Sequence, residues 1–348
     1  MPQTPADPRL EQLNSWLSGL PDTLQLAVDS LQPASADASA RRYFRLASPA
    51  AACGTVIAMD APPTEKCREF IEIAGLMDSA GLRVPTILAF DLEQGFILLS
   101  DLGQHTYIEL LTPERAPGMM QAALATLTDW QLASRPGVLP VYDQAFLRRE
   151  LDLFPEWYLG RHLGRDLADP ALRATLEAVF EPLTRSALAQ PQVFMHRDFM
   201  PRNLMADPAA PNARPGVLDF QDAVYGPIGY DVISLFRDAL ISWDEDFELD
   251  CLVRYWEQAR RVGLPVRDDF ADFYRELEWM GLQRHLKILG LFARLWYRDK
   301  KPRYLADTPR FIDYARKVAR RYRELAPLAR LLDTIDAGAG QAQVGYTF

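Results

Sequence analysis

The sequence predicts an α+β protein with a small, mostly antiparallel-sheet lobe over residues 1–102 and a larger, mostly helical lobe over 103–348. Three observations lead there. Short apolar runs ended by Pro, Gly or Asp crowd the first hundred residues, as strands do. Segments with a 3.6-residue apolar period fill most of the rest. One stretch, around 191–225, breaks that helical texture, and there the polar residues of FMHRDFMPRNLM sit between apolar flanks.

Residues 1 to about 30 read as helical, with Leu10, Leu13, Trp16, Leu17 and Leu20 near one face. The text then turns small and polar (ASADASARRYFRLAS) before becoming strand-like, and GTVIAMDAP is a second strand ended by Pro62 and Pro63. EKCREFIEIAGLMDSAG is an amphipathic helix that places Phe70, Ile73, Ala74 and Met77 together and stops at Gly81. VPTILAFD and GFILLSDLG follow as strands, with a hinge at 100–103. Helices are expected near 113–134, 144–162, 170–189, 246–262, 268–297 and 308–332. QVFM, NLMA and GVLDF are short strands, DPAAPNARPG (207–216) is a turn, and AGAGQAQ is a frayed tail.

With 348 residues, 49% hydrophobic and 24% charged, the chain is long enough for two lobes without disulfide support. Cys53, Cys67 and Cys251 have neither metal nor disulfide spacing, which suits a reducing compartment. The N-terminus carries no export signal, and no apolar run approaches the roughly 20 residues of a membrane span. A net charge of −9 argues against a general nucleic-acid binder. A soluble, cytoplasmic monomer is expected.

Four polar side chains, His196, Arg197, Asp198 and Asn203, in a buried, irregular segment are costly unless something uses them. Asp198 can accept or orient a hydroxyl proton. Asn203, five residues on, and Asp219, ending a short strand about 20 residues downstream of Asp198, offer hard oxygens to Mg²⁺ bridging nucleotide phosphates. Magnesium suits such sparse ligation because it keeps water and phosphate oxygens as its other ligands. His196 reads as a structural residue that bonds backbone in the loop.

MHRDFMPRN, LDFQDAVYGPIGYDVISL and GFILLSDLG together resemble the aminoglycoside phosphotransferase and choline kinase-like family, over about residues 35–300. The resemblance implies a protein kinase-like two-lobe fold, ATP and Mg²⁺ as cofactors, and nucleotide binding by the first lobe. It also implies a buried structural role for Asp231, supporting the catalytic loop. ASARRYFRL, MDAPP and ELDLFPEWYLGRHLG look, more narrowly, like the anomeric sugar kinases of cell-wall recycling, which phosphorylate N-acetylmuramate and N-acetylglucosamine at C1.

The strand VIAMDA has no lysine where such folds carry one for the α- and β-phosphates. Lys66 is the only lysine among the first 150 residues, so the contact falls to Lys66, Arg41, Arg42 or Arg45. The 38–45 loop has no glycine, and Ala38, Ser39 and Ala40 would give its amides access to phosphate. Glu69 and Glu72 lie where a kinase pairs its phosphate-binding cation. Ser100, Asp101 and Leu102 would offer backbone groups to adenine. The basic run from Arg284 through Lys287 and Arg294 to Arg303 favours an acceptor with a negative group, and Trp157 could stack on a sugar ring. A kinase of another small alcohol, such as an aminoglycoside or amino alcohol, and a non-catalytic nucleotide-binding relative are the alternatives. Retention of Asp198, Asn203 and Asp219 argues against the latter.

Overall fold

The computed structural model describes residues 7–35, 40–62 and 65–336. Ser39, Ala38 and the AGAGQAQ tail lie outside the described residues. The chain forms two compact units, Met1–Leu111 with Arg202–Asp222, and Thr112–Pro201 with Ala223–Phe348. Residues 202–222, which carry Asn203 and Asp219, therefore belong to the unit built by the first hundred residues.

In the first unit, helix α1 (Pro8–Ser18) starts where the Asp7 carboxylate accepts the amides of Arg9 and Leu10. It buries Leu13 and Leu17 and ends at Gly19. Residues 27–30, the end of the expected helical stretch, are not helical but open strand β1 (Ala27–Ser35). Gly19 and Pro21 end the helical period, and β1 pairs antiparallel with β2 (Arg42–Ala47). With β3 (Thr55–Asp60), β4 (Ile87–Asp91) and β5 (Phe96–Ser100) they make a five-stranded antiparallel sheet in the order β1-β2-β3-β5-β4. Helix α2 (Cys67–Ser79) buries Phe70, Ile73, Ala74 and Met77, the face its spacing predicted. Strand β6 (His105–Thr106) and helix α3 (Tyr107–Leu110) follow.

The second unit contributes α4 (Ala116–Leu132), α5 (Gln144–Leu151), a π-helical stretch over Phe154–His162, and α6 (Pro170–Ala189). It then supplies strand β7 (Gln192–Met195). The chain next returns to the first unit as β8 (Leu204–Ala206) and β9 (Gly216–Val217), which pair across the expected 207–216 turn beside β6. Back in the second unit, β10 (Val224–Pro227) pairs with β7. Helices α7 (Gly229–Phe236), α8 (Glu245–Arg261), α9 (Phe270–Tyr297), α10 (Thr308–Arg321) and α11 (Ala326–Asp336) complete it.

Two expected helices are broken. The 144–162 segment changes to π-helical winding just before Pro155, and 308–332 divides at Tyr322, whose extended backbone precedes the Ala326–Pro327 start of α11. Helix α9 is the axis of this unit, with buried residues on all sides between Leu277 and Ala293. It passes so near Leu153 that a Cβ at Gly290 would sit 2.2 Å from that residue's carbonyl. Among the described residues no helix is long and apolar enough to cross a membrane.

Candidate active site

Strand β7 delivers its last residue, Met195, into the loop His196–Arg197–Asp198. Arg197 has φ 78°, a left-handed conformation that a non-glycine residue rarely adopts without constraint. The constraint is Asp231 at the start of α7, 1% exposed. Its carboxylate oxygens accept the amides of His196 (2.5 Å) and Arg197 (2.9 Å). His196 is fully buried and accepts the Asp198 amide at Nδ1, 3.2 Å. The half-buried Asp198 is thus presented by a loop whose backbone is tied from beneath.

Burial pushes the Asp231 carboxyl up to about 6, against the pull of His196 and the two amides. The folded state then holds this proton more tightly than the unfolded chain, so its contribution to stability falls as pH rises from about 3.8 to about 6. Urea unfolding at a series of pH values should show Asp231→Asn gaining on the wild type across that window and running parallel above it. Parallel curves throughout would mean that the carboxyl does not titrate there.

A second layer supports the loop. Glu150, on α5, receives Arg197 Nη2 at 2.7 Å and Lys287 Nζ at 2.8 Å on one oxygen. Its other oxygen is bonded by the Tyr142 hydroxyl and, at 3.4 Å, by Gln283 Nε2. Lys287 also reaches the Tyr230 hydroxyl at 3.0 Å. Burial would raise Glu150, but Lys287 and Arg197 outweigh it and hold the carboxyl down at about 2. Both cations act electrostatically on Asp198.

Of the predicted residues, Ser100, Asp101, Leu102, Asn203 and Asp219 line a cavity of about 330 Å³ in the first unit, together with Ile57 and Leu99 among others. Asp219 also has a left-handed backbone, φ 63°. Its Oδ2 lies 3.4 Å from the Asn203 amide nitrogen, and its Oδ1 accepts Gln221 Nε2 at 2.9 Å. An amide and a carboxylate this close supply two hard oxygens, and the set fits Mg²⁺ whose further ligands are phosphate and water. Phe220 stacks on Phe70 of α2 at 4.7 Å, a pair worth about 1 kcal/mol beyond its buried area. A Cβ at Gly216 would come 2.8 Å from Leu102 Cδ1, so a larger residue there would require the Leu102 side chain to shift.

The 100–103 segment, expected as a hinge, lies within the first unit and is pinned by a side chain. Burial works to raise Asp101, but Arg45 (2.5 and 3.1 Å), Thr55 (2.7 Å) and the Gly103 amide (2.9 Å) hold its carboxyl below the usual range. The Ser100 amide is bonded to Thr86 O at 2.9 Å, and Leu102 O accepts Arg83 Nη2 at 3.1 Å.

Several predicted contacts come out differently. Arg42 pairs with Asp60 and Asp7, because the buried Asp60 of β3 draws both Arg42 and Arg9 to itself. Lys66 pairs with Asp222 at 2.6 Å on a side chain 55% exposed, and Glu69 is exposed on α2. None of Arg41, Arg42, Lys66 and Glu69 lines the cavity, whereas Arg45 does. Arg41, 6% exposed, is instead paired with Glu65 at 3.2 Å and acts electrostatically on Asp219. The basic run on α9 is not a continuous face either. Arg284 is buried and Lys287 is neutralised by Glu150, since this central helix has core on every side. Arg294 is half-buried, and Trp157 packs against the large core cluster.

Sequence reasoning missed Glu65 and Glu150. The signal for Glu150 was present: a carboxylate on the α5 face that also buries Leu147 and Leu151.

A model of the phosphotransferase enzyme family matches residues 30–270. An N-acetylmuramate/N-acetylglucosamine kinase from Pseudomonas aeruginosa is 50% identical over 341 residues, 96% of this chain and 98% of that protein. Its namesake from Pseudomonas putida is 48% identical over the same shares. A solved, ADP-bound aminoglycoside phosphotransferase superposes with a TM-score of 0.59 at 13% identity, over 89% of this chain and 98% of that one. The sheet unit and helical unit are the kinase-like fold expected, and the chain belongs to the phosphotransferase enzyme family.

Proposed function

We propose that this protein is an ATP- and Mg²⁺-dependent kinase that phosphorylates the anomeric hydroxyl of N-acetylmuramate and N-acetylglucosamine in peptidoglycan recycling. The observation that carries this reading is the 50% identity, over nearly the whole chain, to a kinase named for those two sugars. The Asp198 loop and the Asn203–Asp219 pair supply matching chemistry.

In this reading the adenine enters the cavity at Ser100–Leu102. Asn203 and Asp219 would hold Mg²⁺, which would supply charge neutralisation at the phosphates. Asp198 accepts the proton of the O1 hydroxyl as the new O1–P bond forms and the bond from the γ-phosphorus to the ADP oxygen breaks. The anomeric hydroxyl is more acidic than the other sugar hydroxyls, so a single positioned carboxylate can guide its proton. Arg41, oriented by Glu65, takes the place of the missing strand lysine at the nucleotide phosphates.

The test is product identity by NMR after incubation with ATP, Mg²⁺ and each sugar, with methyl glycosides as controls. A phosphate on O6 or O3, or ready turnover of the methyl glycoside, would exclude anomeric transfer. For the phosphate cation, Arg41→Met should weaken MgADP binding about 10-fold or more, the scale of one hydrogen bond to a charged group. Lys66→Met should change it less than about 3-fold, as for an exposed pair. Equal affinities for Arg41→Met and wild type in a calorimetric titration would reassign the contact.

A further inference from the structure

The α7–α8 connection, with α9 and α10, holds buried polar groups that the reading above does not use. Asp238 is 2% exposed. Its Oδ1 accepts the amides of Leu240 (2.7 Å) and Ile241 (2.9 Å), while Oδ2 is buried with no hydrogen-bond partner. Arg310, on α10, likewise has a buried Nη1 with no partner. Asp238 and Arg310 act on each other electrostatically, yet they form no ion pair. A buried carboxylate oxygen and a buried guanidinium nitrogen left apart are costly, and such a pair points to a molecule that joins them.

This cluster is linked to Asp198 through a chain of three side chains, Arg284, Tyr230 and Lys287. Arg284, which also acts on Asp238, lies 6.0 Å from the Tyr230 ring centroid. The Tyr230 hydroxyl meets Lys287, and Lys287 acts on Asp198. An apolar wall is present as well. Tyr314 stacks on the buried His285 at 5.1 Å, its hydroxyl held by Ser242 at 2.8 Å.

We propose that Asp238 and Arg310 form the subsite for the acceptor's acetamido group, whose N–H donates to Asp238 Oδ2 and whose carbonyl accepts from Arg310 Nη1. A secondary amide offers one donor and one acceptor, which is what the two unpartnered atoms require. A carboxylate offers no donor and would oppose Asp238. This inference rests on the N-acetylated amino sugar of the proposed function. It explains how one site serves two sugars that differ in the lactyl ether and share the acetamide.

The test compares kcat/KM for N-acetylglucosamine and glucose in wild type, Asp238→Asn and Arg310→Met. Unfolding transitions and MgADP affinity serve as checks that each variant is folded. Wild type should prefer N-acetylglucosamine by about 10-fold or more, and both variants should lose that preference through the N-acetylglucosamine value alone. If glucose turnover is too slow to measure, the same result appears as a KM for N-acetylglucosamine raised about 10-fold with kcat within about 2-fold. Folded variants that keep the wild-type preference and KM, or that lower both sugars equally, would mean that water alone fills the gap and would overturn the subsite. Wild-type inactivity toward every N-acetylated sugar would overturn the proposed acceptor and the subsite with it.

Discussion

Asp198→Asn should bind MgADP within about 2-fold of wild type and lose roughly 10²–10⁴ in kcat, the usual range for a general base. The substitution keeps the shape of the side chain, and its loop is tied by Asp231 and His196 through backbone amides, which an asparagine at 198 leaves in place. Nucleotide binding should survive because Asn203, Asp219 and the hinge all line the cavity of the first unit, to which Asp198 does not belong. Steady-state turnover and a calorimetric MgADP titration measure the two halves separately. Near-normal kcat would falsify the assignment of Asp198 as the base, and a parallel collapse of nucleotide affinity would show that the loop serves binding instead.

Glu150→Ala should destabilise the fold by about 3–5 kcal/mol, the cost of leaving a buried charge without its partner. Here one carboxylate answers two cations, Arg197 and Lys287, both largely buried. Removing one of those cations as well should return part of the loss, so Glu150→Ala/Lys287→Met should unfold at higher urea than Glu150→Ala alone. Turnover should fall too, since Arg197 immediately precedes Asp198 and its left-handed backbone depends on its surroundings. The sign of the pH dependence follows from the depressed carboxyl. With an ordinary value of 4.5 and a folded value of about 2, Glu150 contributes stability that is complete above pH 4.5 and is lost as pH falls towards 2. The wild type should therefore lose its advantage over Glu150→Gln across that acid window. An advantage that stays constant from pH 5 to pH 3 would rule out an ionised Glu150 at the centre of the network.

Much of this protein could be read along the chain because the deciding interactions are local. Helix α2 shows its buried face in the spacing of Phe70, Ile73, Ala74 and Met77, and the helical periods of α6, α8 and α9 match their segments closely. Asp198, Asn203 and Asp219 stood out because polar side chains in short apolar runs need a use wherever the fold places them. Pairing was a different matter. Periodicity says which face of an element a residue occupies, not which distant charge waits there. The cations of α9 looked like a binding face until Lys287 was found against Glu150 of α5, and Arg284 was found buried within the same helical unit. The phosphate cation could not be chosen among Arg41, Arg42, Arg45 and Lys66 by position alone. Asp60 claims Arg42, Asp101 claims Arg45, Asp222 claims Lys66, and Glu65 holds Arg41 near Asp219. The start of strand β1, residues 27–30, reads as the end of a helix for the same reason, because its stabilising partner β2 contributes nothing to the local period. Burial and bond periodicity are properties of a segment and survive in the sequence. The neutralisation of a charge is a property of two segments brought together, and only the folded chain decides it.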